Sequence, residues 1–175
     1  MAKFRVLGLE KIEIGNCGAD GAMGSSLTEI KKIVPESVIF DTEKPEVIEL
    51  FVEGVDAPDI QKISKSGLKA VSLKTRDLAT GNLELFDGGT TETGKYSAPV
   101  QTIEKYQSVK VTGKYVSGKR GVLSIPRALV IAKITMPFHK GESGMIEAEM
   151  RVATPENATG TALSPWQFEY EDEPA

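Results

Sequence analysis

The run Met145-Ile146-Glu147-Ala148-Glu149-Met150-Arg151-Val152 alternates without a break. Ile146, Ala148, Met150 and Val152 fall on one side, and Glu147, Glu149 and Arg151 on the other. A period of two separates apolar from charged side chains this cleanly only in a strand with one wet face. The same period recurs along the chain. In Glu46–Glu53 the residues Ile48, Leu50 and Val52 form an apolar face, and Gly54 ends the run. Val38-Ile39-Phe40, followed by turn-forming residues up to Pro45, reads as its partner strand. Leu68–Thr75 is rich in apolar and β-branched residues, and Lys105–Lys114 alternates again. Arg127–Thr135 is apolar on both faces, as expected of a central or interface strand. Trp166, Phe168 and Tyr170, separated by Gln167 and Glu169, predict a closing strand.

One segment departs from the period of two. Thr75–Asp87 offers Thr75 or Asp77 as a cap, and its Leu78, Leu83, Leu85 and Phe86 suit a short amphipathic helix stopped by Gly88-Gly89. About eight strands and one helix predict a mainly β fold, a β-sandwich or partly rolled β-barrel with one short flanking helix. Seventeen Gly and nine Pro in 175 residues agree with a turn-rich fold. No linker divides the chain, so residues 1–175 read as a single domain, with a flexible Gly-rich loop at about 15–26 and an acidic tail at 169–175.

Composition narrows the chemistry. One Cys, one His and one Trp leave no intramolecular disulfide, no Cys-based zinc site and no His-rich metal site. Any nucleophile–imidazole mechanism would have to use His139. The net charge of -4 gives no global footprint for nucleic acid. Glu169, Glu171, Asp172 and Glu173 carry that imbalance, as a solvated end or as a docking strip for a basic neighbour. Lys110, Lys114, Lys119 and Arg120 surround a turn at Tyr115–Gly118 and read as a solvated hairpin tip that could meet such a tail on a neighbouring subunit. No stretch approaches the roughly 18 apolar residues that cross a membrane.

Three motifs invite functional readings. Gly15, Gly18, Gly21 and Gly24 recur every third residue, but Leu27–Pro35 after them is too short and β-branched for the helix that a phosphate-cradling loop requires. Gly89–Lys95 has the glycine and lysine spacing of a Walker A loop, yet Tyr96 stands where the Mg²⁺-ligating hydroxyl belongs. Cys17 is a reactive thiol only if a base such as His139 approaches it. Glu147 and Glu149, two apart on one strand face, read as a solvated surface rather than an acid/base pair. No enzyme and no cofactor is expected.

The ordered segments resemble the tail tube (major tail) proteins of long-tailed bacteriophages. The resemblance runs through Gly21–Thr28 after a first strand and through Pro45-Glu46 leading the strand to Gly54. It continues with Asp77–Phe86 ending in Gly88-Gly89-Thr90, the Tyr96–Pro99 step, Ile125–Ala128 opening a long strand, and the Pro165–Phe168 end. It spans nearly the whole chain. It implies a structural virion protein that forms six-membered rings, stacked as a hollow tube through which DNA passes without sequence-specific binding. It further implies assembly in the bacterial cytoplasm, with copies of itself and with tape-measure, baseplate and tail-terminator proteins as partners. Under that resemblance Glu147, Glu149 and Arg151 are candidates to face the lumen. Leu78, Leu83, Phe86, Leu129 and Ile131 are candidates for contacts between subunits. A tube subunit of the type VI secretion kind is a close sibling of this reading. A soluble β-sandwich module for a sugar or peptide is the alternative of a different class, favoured if Trp166, Phe168, Tyr170 and Tyr96 share one exposed face. A nucleotide enzyme using Gly94-Lys95 is the third class.

Overall fold

A computed structural model describes residues 8–51, 53–54 and 56–174. Val52, which the sequence places on the apolar face of its strand, lies outside the described residues. The fold is mainly β with one short helix and is sandwich-like, as the alternation predicts. Its elements are β1 (Leu9–Asn16), β2 (Leu27–Glu29), β3 (Ile39–Thr42), β4 (Glu46–Leu50), β5 (Ile60–Lys65), β6 (Lys69–Thr75), α1 (Thr80–Asp87), β7 (Thr90–Glu92), β8 (Lys95–Ser97), β9 (Lys105–Gly113), β10 (Lys119–Thr135), β11 (Met145–Val152) and β12 (Gln167–Asp172). The main sheet runs β2-β1-β9-β10-β11-β6-β3, with β12 beside β10. Every pairing in it is antiparallel.

β10 is the spine. Its first half pairs with β12 (Lys119↔Asp172 through Ser124↔Gln167) and its second half with β11 (Ala128↔Val152 through Thr135↔Met145), while β9 lies along its other edge. The exchange of partners falls beside an irregularity in the β9 pairing between Ile125 and Ala128. Pro126, which cannot donate to a ladder, sits there, as proline in a central strand requires. Its carbonyl instead accepts the Ser108 hydroxyl at 2.7 Å. The strand therefore begins eight residues before the stretch that composition alone singles out, because its polar Lys119-Arg120 start conceals it.

The sheet rolls until its two ends meet. Ile30 N donates to the Ile12 carbonyl at 2.9 Å, and four residues on Val34 N donates to the Lys74 carbonyl at 2.8 Å. The chain thus steps from β1 across to β6, where Ile33 bridges Thr75. Inside the roll Ile12, Ile14, Val71, Val109, Ile125, Ile146 and Met150 are fully buried. Burial of each such side chain contributes roughly 1.5–3 kcal/mol, less what the denatured chain already buries.

The helix closes one flank of that core. Leu83 and Phe86 are buried there, and Leu78 packs against the same cluster. Leu83 and Phe86 are therefore not available as contacts between folded subunits, since their apolar surface is already covered by their own domain. The stop at Gly88 is as expected: its φ of 81° is left-handed and its N–H bonds the Glu84 carbonyl. Lys105 Nζ reaches that same carbonyl at 2.6 Å, and Gln107 Nε2 donates to the Leu85 carbonyl at 2.9 Å. The start differs from expectation. Ala79 holds the cap position without a side-chain bond. Thr75 ends β6, where its hydroxyl donates to the Lys31 carbonyl and accepts from Asp77 N.

Two pairings also differ. β3 pairs with β6, not with β4, and β4 pairs with β5, a strand whose Ile60-Gln61-Lys62-Ile63-Ser64-Lys65 sequence lacks a clean apolar face. β2, β5, β7 and β8 bring the strands among the described residues to twelve, above the eight or so expected.

Candidate interaction surfaces

The β4–β5 hairpin stands apart from the rolled sheet. Its register, Val47↔Ile63, Glu49↔Gln61 and Leu50↔Ile60, places Val47 and Ile63 on one face and Ile48, Leu50 and Ile60 on the other. Both faces are open. Val47, Ile48, Leu50, Phe51, Ile60 and Ile63 are each 51–60% exposed. Every residue of the two strands is exposed, with Gln61 Nε2 donating to Glu49 Oε1 at 3.0 Å as a cross-strand tie. A two-stranded hairpin is marginal by itself in water, and exposed apolar side chains of this kind make it a candidate interaction site.

A second apolar surface is concave. A groove of about 1160 Å³ opens beside the seam of the roll, between Leu9, Val111 and Leu123 on one wall and Ile33, Val38 and Phe40 on the other. Trp166 lines it and packs against Phe40, ring centroids 5.2 Å apart. Phe168 extends the wall and meets Tyr170 edge-on at 5.1 Å. Tyr96 does not join these aromatics: its hydroxyl is bonded to the Asp87 carboxylate at the end of α1. Burial, reinforced by that carboxylate, pushes the Tyr96 phenol up to about 12.

The outer face of β11 keeps the predicted separation. Ile146, Ala148 and Met150 are buried, while Glu147 and Glu149 are half-buried and Arg151 is exposed. The face is not an acidic wall, however. Lys74 Nζ lies 3.0 Å from Glu147, and Arg151 Nε lies 2.7 Å from Glu149. The hydrogen bond from Lys74 holds the Glu147 carboxyl below its ordinary range, with Lys133 adding to the effect. Leu129 and Ile131 occupy the same face, directly opposite Arg151 and Glu149. A dry subunit contact at Leu129 and Ile131 and a wet lumen at their cross-strand partners would thus compete for one surface.

The acidic tail is docked within its own chain. Arg120 donates to Glu171 at 2.6 Å and to Glu10 at 3.0 Å, and Lys119 lies 2.7 Å from Asp172. These contacts tie β12 to β10 and β1. The basic stretch and the acidic strip, read separately as possible partners across a subunit boundary, are cross-strand neighbours. The turn between Tyr115 and Lys119 is a true hairpin tip, with Ser117 and Gly118 at positive φ.

The remaining motifs find structural uses. Gly15, Gly18 and Gly24 lie where a Cβ would come within 2.2 Å of the Ser26 carbonyl, 2.5 Å of the Met23 carbonyl and 2.0 Å of the Asn16 carbonyl. The repeat of three therefore serves close backbone packing, and Gly24 N donates to Ser108 Oγ at 2.9 Å. Gly89–Lys95 runs into the β7–β8 hairpin, turning at Gly94 with φ of 71°, so it is no strand-to-helix phosphate loop. Cys17 is half-buried, and burial pushes its thiol up, away from the reactive thiolate. His139 faces Glu142 at 3.5 Å in the β10–β11 loop. Among the described residues no group of three or more His, Cys, Asp or Glu could hold a metal ion, and no helix is long and apolar enough to cross a membrane.

No protein-family model matches the chain, and no curated protein matches it significantly. The surfaces that sequence reasoning missed are the β5 half of the hairpin and the groove. A signal for the first exists in Ile60 and Ile63. The second has none, because its lining comes from segments as distant as Leu9 and Phe168.

Proposed function

We propose that the chain is a structural subunit that assembles with copies of itself, as stacked six-membered rings, into a hollow tail tube of the kind through which long-tailed phages pass DNA. The observation that carries this reading is the β4–β5 hairpin. Six large apolar side chains are held in water on a regular two-stranded arm, and such an arm gains about 25 cal/mol for each Å² of apolar surface it buries on association. The face of β11 that carries Glu147, Glu149 and Arg151 is the candidate lining of the channel. Its alternating charges offer phosphate no continuous cationic track, so a duplex could slide past. The type VI sibling shares this logic and differs in its cargo.

A second reading, a sugar- or peptide-binding module, draws on the edge-on pair of Phe168 and Tyr170, residues that are 43% and 41% exposed. Negative-stain electron microscopy of concentrated protein, beside a sizing-column run, separates the two. Six-fold rings or hollow tubes are the expected result. A strict monomer at high concentration would overturn the tube reading and make a glycan and peptide array the next experiment.

A further inference from the structure

The charges at the rim of the groove beside Trp166 select no partner. Lys11 is paired with Glu13, Lys32 with Asp77 and Glu10 with Arg120, which leaves Lys31 and Lys114 against Glu29 and Glu36. The wall is more telling. Val111 and Leu123 face each other across the β9–β10 ladder. Gly113 and Gly121, each two residues further toward the turn and so on the same face, also line the groove. Beyond the Val111–Leu123 pair the wall is therefore bare backbone. Glycine in a strand marks a place where another segment approaches closely, and here two such places adjoin.

The chain itself arrives at that step. Gly8 lines the groove, and Leu9 is the cross-strand partner of Gly113. The Gly8 carbonyl takes a bond from Lys114 N at 3.2 Å, and its φ of 73° turns the backbone out of the line of β1. β9 ends at Gly113 and the chain turns at Ser117-Gly118, so no strand continues alongside for the residues before Gly8 to join. Those residues are Met1-Ala2-Lys3-Phe4-Arg5-Val6-Leu7. Extended, they would put Phe4 and Val6 on one side and Lys3 and Arg5 on the other. A seven-residue segment reaches at most about 25 Å. Tethered at the lip, it meets the groove at an effective concentration in the millimolar range, which a separate molecule would have to exceed.

We infer that the groove seats the chain's own leading segment, with Phe4 and Val6 over Gly113 and Gly121 and with Lys3 and Arg5 turned to water. The segment then straps the seam of the roll, since one wall belongs to β1, β9 and β10 and the other to the stretch from Ile33 to Phe40. No second copy is needed, so the strap stands apart from the self-assembly reading.

The test is made on the full chain. Benzoylphenylalanine, a photo-reactive residue, replaces Phe4 in a mixture of ordinary and isotope-labelled chains. Irradiation should join position 4 to the groove wall, at Val111, Leu123 or Phe168, and both halves of each crosslinked peptide should carry the same label. Separately, Phe4→Ser/Val6→Ser should let trypsin cut after Arg5 at least about tenfold faster than in the parent, each rate taken relative to the unfolded chain. The same variant should move the emission of Trp166, the single Trp, to the red. Absence of crosslinks to the groove, or cleavage after Arg5 as fast in the parent as in the variant, would overturn the inference. Groove crosslinks of mixed label would overturn it too, and would give the seat to the leading segment of a neighbouring copy.

Discussion

The rolled sheet and the β4–β5 hairpin are built from the same kind of sequence and end in opposite environments. Both are antiparallel, both alternate, and both satisfy backbone groups across a ladder. In β11 the apolar row of Ile146, Ala148 and Met150 is covered by the far side of the roll, whereas in β4 and β5 nothing among the described residues covers either face. Alternation therefore specifies a strand and a two-sided surface, but which side is covered depends on what the rest of the chain folds over it. Under the self-assembly reading, a hairpin with apolar side chains open on both sides takes its covering from a neighbouring copy.

That contrast can be broken most sharply by truncating one isoleucine in each region. Ile146→Ala, in the core, should cost about 2–5 kcal/mol in urea unfolding, whereas Ile48→Ala on the arm should stay within about 0.5 kcal/mol for the isolated subunit. Equal losses at the two sites would mean that the arm is packed after all. Glycines give the next largest difference. Gly24→Ala forces a Cβ to within 2.0 Å of the Asn16 carbonyl and should destabilise by about 1–3 kcal/mol in a thermal melt. Gly54→Ala, at the tip of the arm, meets no atom within 4 Å and carries only the cost of its φ of 82°, about 1 kcal/mol.

Smaller effects test how firmly the rim of the roll is tied. Arg120→Met removes the link from β12 to β1, so amide exchange in β12 should quicken and Tm should fall by an amount that shrinks in high salt. Unchanged protection of β12 would show that its ladder alone suffices. Tyr96 provides a pH-dependent counterpart. Its folded pKa is raised to about 12, so its contribution to stability is complete below the unfolded value of about 10 and is lost as pH rises through about 12. Tyrosinate absorbance should show a step near pH 12 that Tyr96→Phe abolishes.

How much of this was legible follows from which interactions are local. β11 matches its sequence boundaries, and β6, β9, β12 and the Gly88 stop are read correctly, because period and turn chemistry reside in neighbouring residues. The partner of β3 was misread because pairing is a choice among distant strands, and proximity in sequence favoured β4 over β6. The first half of β10 was hidden by Lys119, Arg120 and Pro126, each a poor strand residue by itself. The helix start was misplaced because Thr75 and Asp77 are good caps whose hydroxyl and backbone amide bond each other instead. The family resemblance offers Leu83 and Phe86 as contacts between subunits, yet the open flank of the roll draws them inward. The charge of the β11 face was legible only in part, since Lys74 and Lys133 arrive from neighbouring strands.

The pairing of β1 with β9 has a kinetic consequence. Ile14 faces Val109 across about 95 residues of intervening chain, and the buried centre cannot close until that encounter is made. The arm from Glu46 to Lys65 needs no such encounter, since nine residues join its two strands and a local pairing of this kind forms on the microsecond scale. A two-stranded hairpin is marginal alone, so the arm pairs and reopens until the rolled sheet anchors its ends. Under the self-assembly reading, a lasting arm then exists only on chains whose body is already complete.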